Sequence, residues 1–339
     1  MQNKIALVGE AWGEYEERER APFVGPTGHE LTKMLTEAGV HRADCFLTNV
    51  FNLRPPANKI EALCGGKAQG LPGYPALVKG KFVRREFAPE LERLAKQLDD
   101  VNPNVTVALG NTAMWALCGK TTITKLRGST TTSTHTISGF KVLPTYHPAA
   151  ILRQWDLRPV AVIDLMKALR ESEWPEIRRP KRIIYIPETI EDLNVYYETN
   201  IRRCSRLAVD IETAGNQITC IGFAPCTTSS LVIPFVNRGR ANRSYWEKPS
   251  DEYLAWAFVK GICGDPRLKK VFQNGLYDIA FLWRSMKIKV YGACEDTMLL
   301  HHALQPESLK SLGFLGSIYC DEGSWKQMRE RHTTIKRDD

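Results

Sequence analysis

The stretch IALVGEAWGEYEERERAPFVGPTG, residues 5–28, decides how the first half of the chain is read. It opens on the apolar run Ile5-Ala6-Leu7-Val8 and turns at Gly9-Glu10-Ala11. It then crosses six charged residues from Glu14 to Arg20 and finishes on Pro22-Phe23-Val24-Gly25. A strand ending in Gly-Glu-Ala brings one carboxylate to the carboxyl edge of a parallel sheet, where such folds place their chemistry. The plainer alternative is a strand-to-loop turn with solvated charges.

Working outward, apolar runs at 5–11, 45–50, 104–110 and 141–146 predict buried strands. Helical periodicity at 27–39, 87–100 and 111–119 falls between them. This alternation implies a parallel sheet covered on both faces, an α/β fold. Residues 59–85, rich in Gly, Pro and Lys, predict an insertion or mobile loop. A further helix at 161–173 leads into WPEIRRPKR (174–182), whose two prolines and basic run set a boundary. Three apolar segments follow at 206–213, 217–225 and 229–236, parted by short polar turns that predict an antiparallel meander. Helical patterns then come at 251–263, 276–286, 296–304 and 308–319. The expected domains are therefore 1–173 and 183–339, joined by 174–182.

A chain of 339 residues can bury two cores, since domains commonly run to roughly 100–200 residues. Its 43% hydrophobic and 25% charged content predicts a soluble globular protein. No apolar stretch approaches the roughly 18 residues of a membrane span, and the start MQNKIALVGEAWG has no signal pattern. The expectation is no membrane partner. Nine cysteines without a repeating frame argue against a disulfide scaffold and for a reducing cytoplasm. A net charge of +8 favours a polyanionic partner such as DNA.

Four separated pieces of the first half fall at strand ends. They are Gly9-Glu10-Ala11-Trp12-Gly13, Pro22-Phe23-Val24-Gly25, Thr48-Asn49 with Arg54-Pro55-Pro56, and His147-Pro148-Ala149-Ala150-Ile151-Leu152-Arg153. In order and spacing they resemble the uracil-DNA glycosylase superfamily, and within it the iron–sulfur (family four) branch, over about residues 3–172. The resemblance implies a parallel-sheet αβα sandwich that flips a nucleotide out of DNA. It casts Glu10, Asn49 and His147 as catalytic, with Phe23, Ala11, Gly13 and Asn49 holding the base and Arg54 and Arg153 on the DNA. The residue types suit those roles. Phe23 offers a stacking face, and Asn49 can pair with a uracil edge while rejecting cytosine. His147 can donate to the departing base as negative charge develops on it. Glu10 can stabilise the oxocarbenium-like sugar and position water, and glycine at 13 lets the backbone approach the base. Taken singly, Asn49 could cap a strand, Phe23 could sit in a core and His147 could end a strand.

Two departures bear on the pocket. Trp12 stands where the family usually has proline, which reshapes the pocket wall and opens a changed base preference, such as hypoxanthine. The branch also uses four cysteines for its cluster, whereas the first domain has only Cys45, Cys64 and Cys118. No iron–sulfur cluster is expected.

In the second half, Asp210-Ile211-Glu212 ends an apolar strand with both acids on one face. FQNGLYD (272–278) then adds a strand, an Asn-Gly turn and a helix carrying Asp278, and Glu295-Asp296-Thr297 and Ser308-Leu309-Lys310-Ser311-Leu312 follow. Paired acids on such a strand suggest a cation, although basic neighbours would also satisfy them. Together these pieces resemble the DEDD-type 3′–5′ exonuclease domain of family A DNA polymerases, especially phage-like ones, over about residues 183–325. The resemblance implies a ribonuclease H-like mixed sheet. Asp210, Glu212 and Asp278 would hold Mg²⁺ or Mn²⁺, while Thr213 and Asn274 would line the substrate end. That family adds a fourth acid in a Tyr-x-x-x-Asp or His-x-x-x-x-Asp helix after a segment corresponding to one ending near Trp325. Here Tyr319 is followed four places on by Gly323, and His332 five places on by Arg337. The expectation is a domain lacking its last motif, whether as a truncated chain, the product of a split gene, or the front of a polymerase whose carboxyl-terminal part is missing. The rival reading is a DNA-binding accessory module that does not cut.

Overall fold

A computed structural model describes residues 4–320. The chain forms two compact units. One runs to Arg179 and takes up the chain again from Gly313, and the other is Pro180–Leu312.

In the first unit β1 (Ile5–Ala11) leads through α1 (Glu14–Glu19) and α2 (Pro26–Glu37) to β2 (Cys45–Phe51). A small ribbon, β3 (Cys64–Gly65) with β4 (Phe82–Val83), precedes α3 (Ala88–Val101), β5 (Val105–Leu109) and α4 (Gly110–Cys118). The short α5 (Ile123–Leu126), β6 (Thr131–Thr134), β7 (Ser138–Thr145), α6 (Pro148–Ile151) and α7 (Arg158–Glu171) follow. The sheet order is β2-β1-β5-β7-β6. Its first four strands pair in parallel and β6 runs antiparallel at the edge. Leu7, Val8, Val107 and Leu143 are fully buried because both faces of a parallel sheet are covered by helices. On α3 the buried Leu91, Leu94 and Leu98 recur at the spacing of one helical face.

Two segments differ from the sequence reading. The charged stretch after Gly13 is the helix α1, because the Glu16 side chain folds back onto the Gly13 N–H and closes its first turn. Residues 59–85 are packed against the core. Leu63, Leu71, Leu77 and Val83 are buried, and the Trp115 indole N–H donates to the Pro75 carbonyl at 2.8 Å.

In the second unit β8 (Ile183–Tyr185) and α8 (Ile190–Tyr196) precede β9 (Arg206–Ala214), β10 (Gln217–Ala224) and β11 (Ser229–Pro234). Then come α9 (Pro249–Gly264), β12 (Lys269–Phe272), α10 (Gly275–Met286), β13 (Cys294–Asp296) and α11 (Thr297–Leu304). The sheet order is β13-β12-β9-β10-β11-β8. β9, β10 and β11 form the antiparallel meander, and β12, β13 and β8 join in parallel, so the sheet is mixed. The apolar meander strands bury Val209, Ile211, Ile221 and Phe223 in a second core.

The last described helix, α12 (Leu312–Tyr319), packs with the first unit almost throughout. Its Ser317 Oγ accepts from Arg127 at 2.9 Å, beside the buried ion pair of Arg127 with Asp164. Among the described residues no helix is long and apolar enough to cross a membrane.

Candidate functional site

The carboxyl ends of β1, β2 and β7 open onto one cavity of about 490 Å³. Glu10, Ala11, Gly13, Phe23, Asn49, His147 and Arg153 all line it, so seven of the eight expected first-domain site residues meet there. The parallel register sets Gly9 opposite Asn49. A Cβ at Gly9 would lie 2.2 Å from Asn49 Oδ1 and 2.5 Å from Phe23 Cζ. The amide and the ring therefore converge over a residue that has to be glycine, and the cavity floor is built on that approach.

Phe23 holds φ at 57°, a left-handed conformation that costs a bulky side chain of order 1–3 kcal/mol. Three neighbours impose it. The buried Glu16 carboxylate accepts the Val24 and Gly25 N–H groups at 3.1 and 3.0 Å, as well as Gly13 N–H at 3.2 Å. The Arg42 guanidinium donates to the Phe23 carbonyl at 2.9 Å and to Gly28 O at 3.3 Å. Gly28 approaches so closely that a Cβ there would sit 1.8 Å from the Phe23 carbonyl oxygen. Glu16 and Arg42 escaped sequence reading because a carboxylate in a charged run and an arginine before a strand look like solvated surface.

His147 caps α6, and its Nδ1 accepts the Ala149 N–H at 3.1 Å. A ring that accepts at Nδ1 carries its proton on Nε2 when neutral. Burial, reinforced by Arg153, pushes the imidazole down to about 4, so it is neutral across the physiological range. The ring lies 6.1 Å from Phe23, centroid to centroid. Glu10 accepts a short hydrogen bond from Thr112 Oγ1. Burial raises its pKa against the pull of Thr112 and Arg153, with Glu61 adding to the rise. The site thus pairs a neutral donor with a carboxylate more basic than usual.

Trp12 also lines the cavity, and its buried indole N–H has no hydrogen-bond partner among the described residues. Arg54 is placed differently from Arg153. Its guanidinium donates to Asn58 Oδ1 at 2.7 Å and lies 3.5 and 3.6 Å from Glu17 and Glu14 of α1. The exposed Leu152 and Trp155 flank Arg153 in sequence. Cys45 begins β2, Cys64 begins β3 and Cys118 ends α4. Burial drives the Cys45 thiol up to about 11 and the Cys118 thiol up to about 12.

In the second unit, Asp210 and Glu212 alternate with the buried Val209 and Ile211 on β9 and share its outer face. Asp278 is buried on α10, and its Oδ1 accepts the Ile211 N–H at 3.1 Å. Partial burial, then the charges of Asp278 and Glu212, push Asp210 up to about 6. Burial also raises Asp278, with the charges of Asp296 and Glu212 contributing. The three acids are thus neighbours. Yet among the described residues no group of three His, Cys, Asp or Glu side chains is disposed to hold a metal ion. One oxygen of Asp278 accepts from the β9 backbone, which fixes that side chain against the strand carrying Asp210 and Glu212.

Thr213 Oγ1 meets Tyr277 OH at 2.8 Å. Asn274, at φ 60°, precedes α10, and its N–H and that of Gly275 donate to Asp296 at 3.1 and 2.7 Å. Asp296 also accepts from Met298 N–H at 2.8 Å, so one side chain ties the starts of α10 and α11. The segment expected to carry a fourth acid, with His332 and Arg337, lies outside the described residues.

The Uracil DNA glycosylase superfamily model matches residues 1–170, and a 3′–5′ exonuclease model of the DNA polymerase A family matches residues 185–333. The type-4 uracil-DNA glycosylase of Thermotoga maritima is 33% identical over 177 residues, covering 50% of this chain and 77% of that protein. The type-4 enzyme of Sulfurisphaera tokodaii is 34% identical over 170 residues, covering 48% of this chain and 68% of its own. A DNA polymerase of Bacillus phage SP01 is 21% identical over 329 residues, or 88% of this chain. The chain spans only 32% of that polymerase. With a cavity at the carboxyl ends of one largely parallel sheet and acids on a strand and helix of a second, mixed-sheet unit, the chain belongs to the uracil-DNA glycosylase superfamily and joins that domain to a 3′–5′ exonuclease domain of the polymerase A family.

Proposed function

We propose that the first unit excises uracil from DNA by hydrolysing the N-glycosidic bond. The observation that carries this reading is the meeting of Asn49 and Phe23 over Gly9 in the cavity that also holds Glu10 and His147. Phe23 stacks the flipped base and Asn49 reads its edge, with the backbone at Ala11 and Gly13 beside it. The Nε2–H of neutral His147 donates to the uracil oxygen that gains charge as the bond breaks. Glu10 faces the sugar as it becomes cationic and orients the attacking water. Arg153 meets the DNA backbone at the cavity mouth, and the apolar Leu152 and Trp155 beside it suit wedging between bases. Arg54 is a DNA contact in this reading as well, on exchanging exposed Glu14 and Glu17 for phosphate. Release of free uracil from a single-stranded uracil oligonucleotide tests the proposal; binding of that strand without release would leave the accessory-module reading. The unpartnered indole N–H of Trp12 favours a second reading, a widened base preference, which the same assay with hypoxanthine decides.

The cysteines of the first unit argue against a four-cysteine cluster: Cys45 and Cys118 are buried, Cys64 is half-buried and Cys320, after α12, is exposed, each at a separate element. The purified protein is expected to be colourless and free of iron. Stoichiometric iron with visible absorption would reverse this.

For the second unit the reading is a metal-dependent 3′–5′ nuclease in a polymerase setting, with residues 174–182 as the functional boundary and 183–339 as the nuclease part. Asp210, Glu212 and Asp278 would hold Mg²⁺ or Mn²⁺, and Thr213 and Asn274 would line the strand end. A divalent ion would supply an activated water and stabilise the leaving oxygen. Because the three acids are not gathered into a ready site, digestion of a labelled single strand with Mn²⁺ is expected to be slow, and abolished in Asp210→Ala. Rapid shortening by the unaltered chain would show that the site is complete as it stands.

A further inference from the structure

Asn49 lies on the outermost strand of its sheet. β2 pairs with β1 on one side, and among the described residues no strand lies on the other. An open edge leaves backbone groups that need partners. Here α3 supplies them through side chains. Arg93 Nη2 donates to the carbonyls of Asn49 and Val50, at 2.8 and 3.0 Å. Its Nη1 donates to Thr48 Oγ1 at 3.2 Å and to Gln97 Oε1 at 2.6 Å, and its Nε to Glu90 Oε2 at 3.1 Å. The same Glu90 oxygen accepts the Asn52 N–H at 2.7 Å. Every donor of the planar guanidinium fork is thus directed at the strand end or at a partner that steadies it.

We infer that Arg93 is the positioning residue that aims Asn49 at the base, acting from outside the cavity. The inference rests on the proposed role of Asn49. The Asn49 amide is fixed on the cavity side by its packing over Gly9. On the other side Arg93 is the main restraint on the peptide that carries it, at 2.8 Å from the Asn49 carbonyl, where the Thr48 hydroxyl donates only at 3.5 Å. Tilting that peptide swings the amide through an arc comparable to the tolerance of a hydrogen bond, and a misplacement of about 1 Å can cost about 10²-fold in rate. A lysine offers one tetrahedral cation, so it cannot hold both carbonyls and Thr48 in one plane.

The test uses the full chain with Arg93→Met, Arg93→Lys and Arg93→Ala. Uracil release, inhibition by free uracil and the side-chain amide signal of Asn49 in a nitrogen-15 spectrum are measured for each. In Arg93→Met, kcat is expected to fall about 10–100-fold with KM for DNA nearly unchanged. Inhibition by free uracil should weaken, and the Asn49 signal should broaden or split. Arg93→Lys should fall between, and added guanidinium should restore part of the activity of Arg93→Ala. If the folded fraction of each variant keeps wild-type kcat, uracil inhibition and Asn49 signal while only Tm drops, Arg93 is a structural edge cap and the inference is wrong. Should the unaltered chain release no uracil, the excision reading fails by itself. The Asn49 signal then still decides whether Arg93 sets that side chain.

Discussion

His147→Ala is expected to lower uracil release about 10²–10³-fold, the usual cost of losing one preorganised donor to a developing anion. The effect is large because the donor is fixed in advance. The Ala149 N–H occupies Nδ1, which leaves the proton on Nε2 before substrate arrives. The ring is also neutral, held down to about 4 by burial and by Arg153. A neutral donor strengthens its bond as the uracil gains charge, whereas an imidazolium would already bind anions in the ground state and so raise kcat less. The loss should appear in kcat, and binding of uracil-containing DNA should change little. Equal single-turnover rates for the variant and the unaltered chain would remove His147 from the mechanism.

Glu10→Gln is expected to cost about 10²–10⁴-fold, the range for a positioned acid–base group, and to change the shape of the pH profile. In the proposed mechanism the carboxylate is the working form, and burial raises its folded pKa. Excision should therefore climb with pH through that raised value and level off above it. His147 does not account for this limb, since burial holds its own titration down to about 4 while the Glu10 carboxyl is raised above its ordinary value. Removing the carboxylate should thus flatten the acid limb and leave a slow, nearly pH-independent reaction above pH 5. A variant that keeps the limb of the unaltered chain would place the titrating group elsewhere. Thr112→Val should move the limb upward, because the hydroxyl donates to the ionised form.

The strands and helices of the first sheet were legible because their signals are local. Ile5–Val8, Cys45–Val50 and Val105–Leu109 are apolar runs of strand length, and Leu91, Leu94 and Leu98 mark one helical face. The meander of β9, β10 and β11 was equally plain from alternation and short turns. The short strands β6 and β8 carry too few residues to show a period, and they exist because a neighbour pairs with them. The segment 59–85 misled for the converse reason. Its Gly and Pro content resembles a mobile loop, and the spaced Ile60, Leu63, Leu71, Leu77 and Val83 anchor it only once the core is present.

The sequence by itself determined the inventory of the site: a carboxylate at the end of β1, an aromatic after the charged run, an amide near the end of β2 and an imidazole after β7. Tertiary structure decided what that inventory can do. The approach of Asn49 and Phe23 over Gly9 joins residues 9, 23 and 49 through a strand register that no local pattern encodes. The raised Glu10 and the depressed His147 follow from burial, which depends on what the whole fold excludes from water. The same distinction explains Arg54 and Asp278, whose side chains look free for phosphate and metal in the sequence. In the folded chain one lies beside the acids of α1 and the other accepts a backbone N–H from β9. Residue type is written along the chain, but the partner a polar group takes is set by whichever donor or acceptor folding brings within about 3 Å of it.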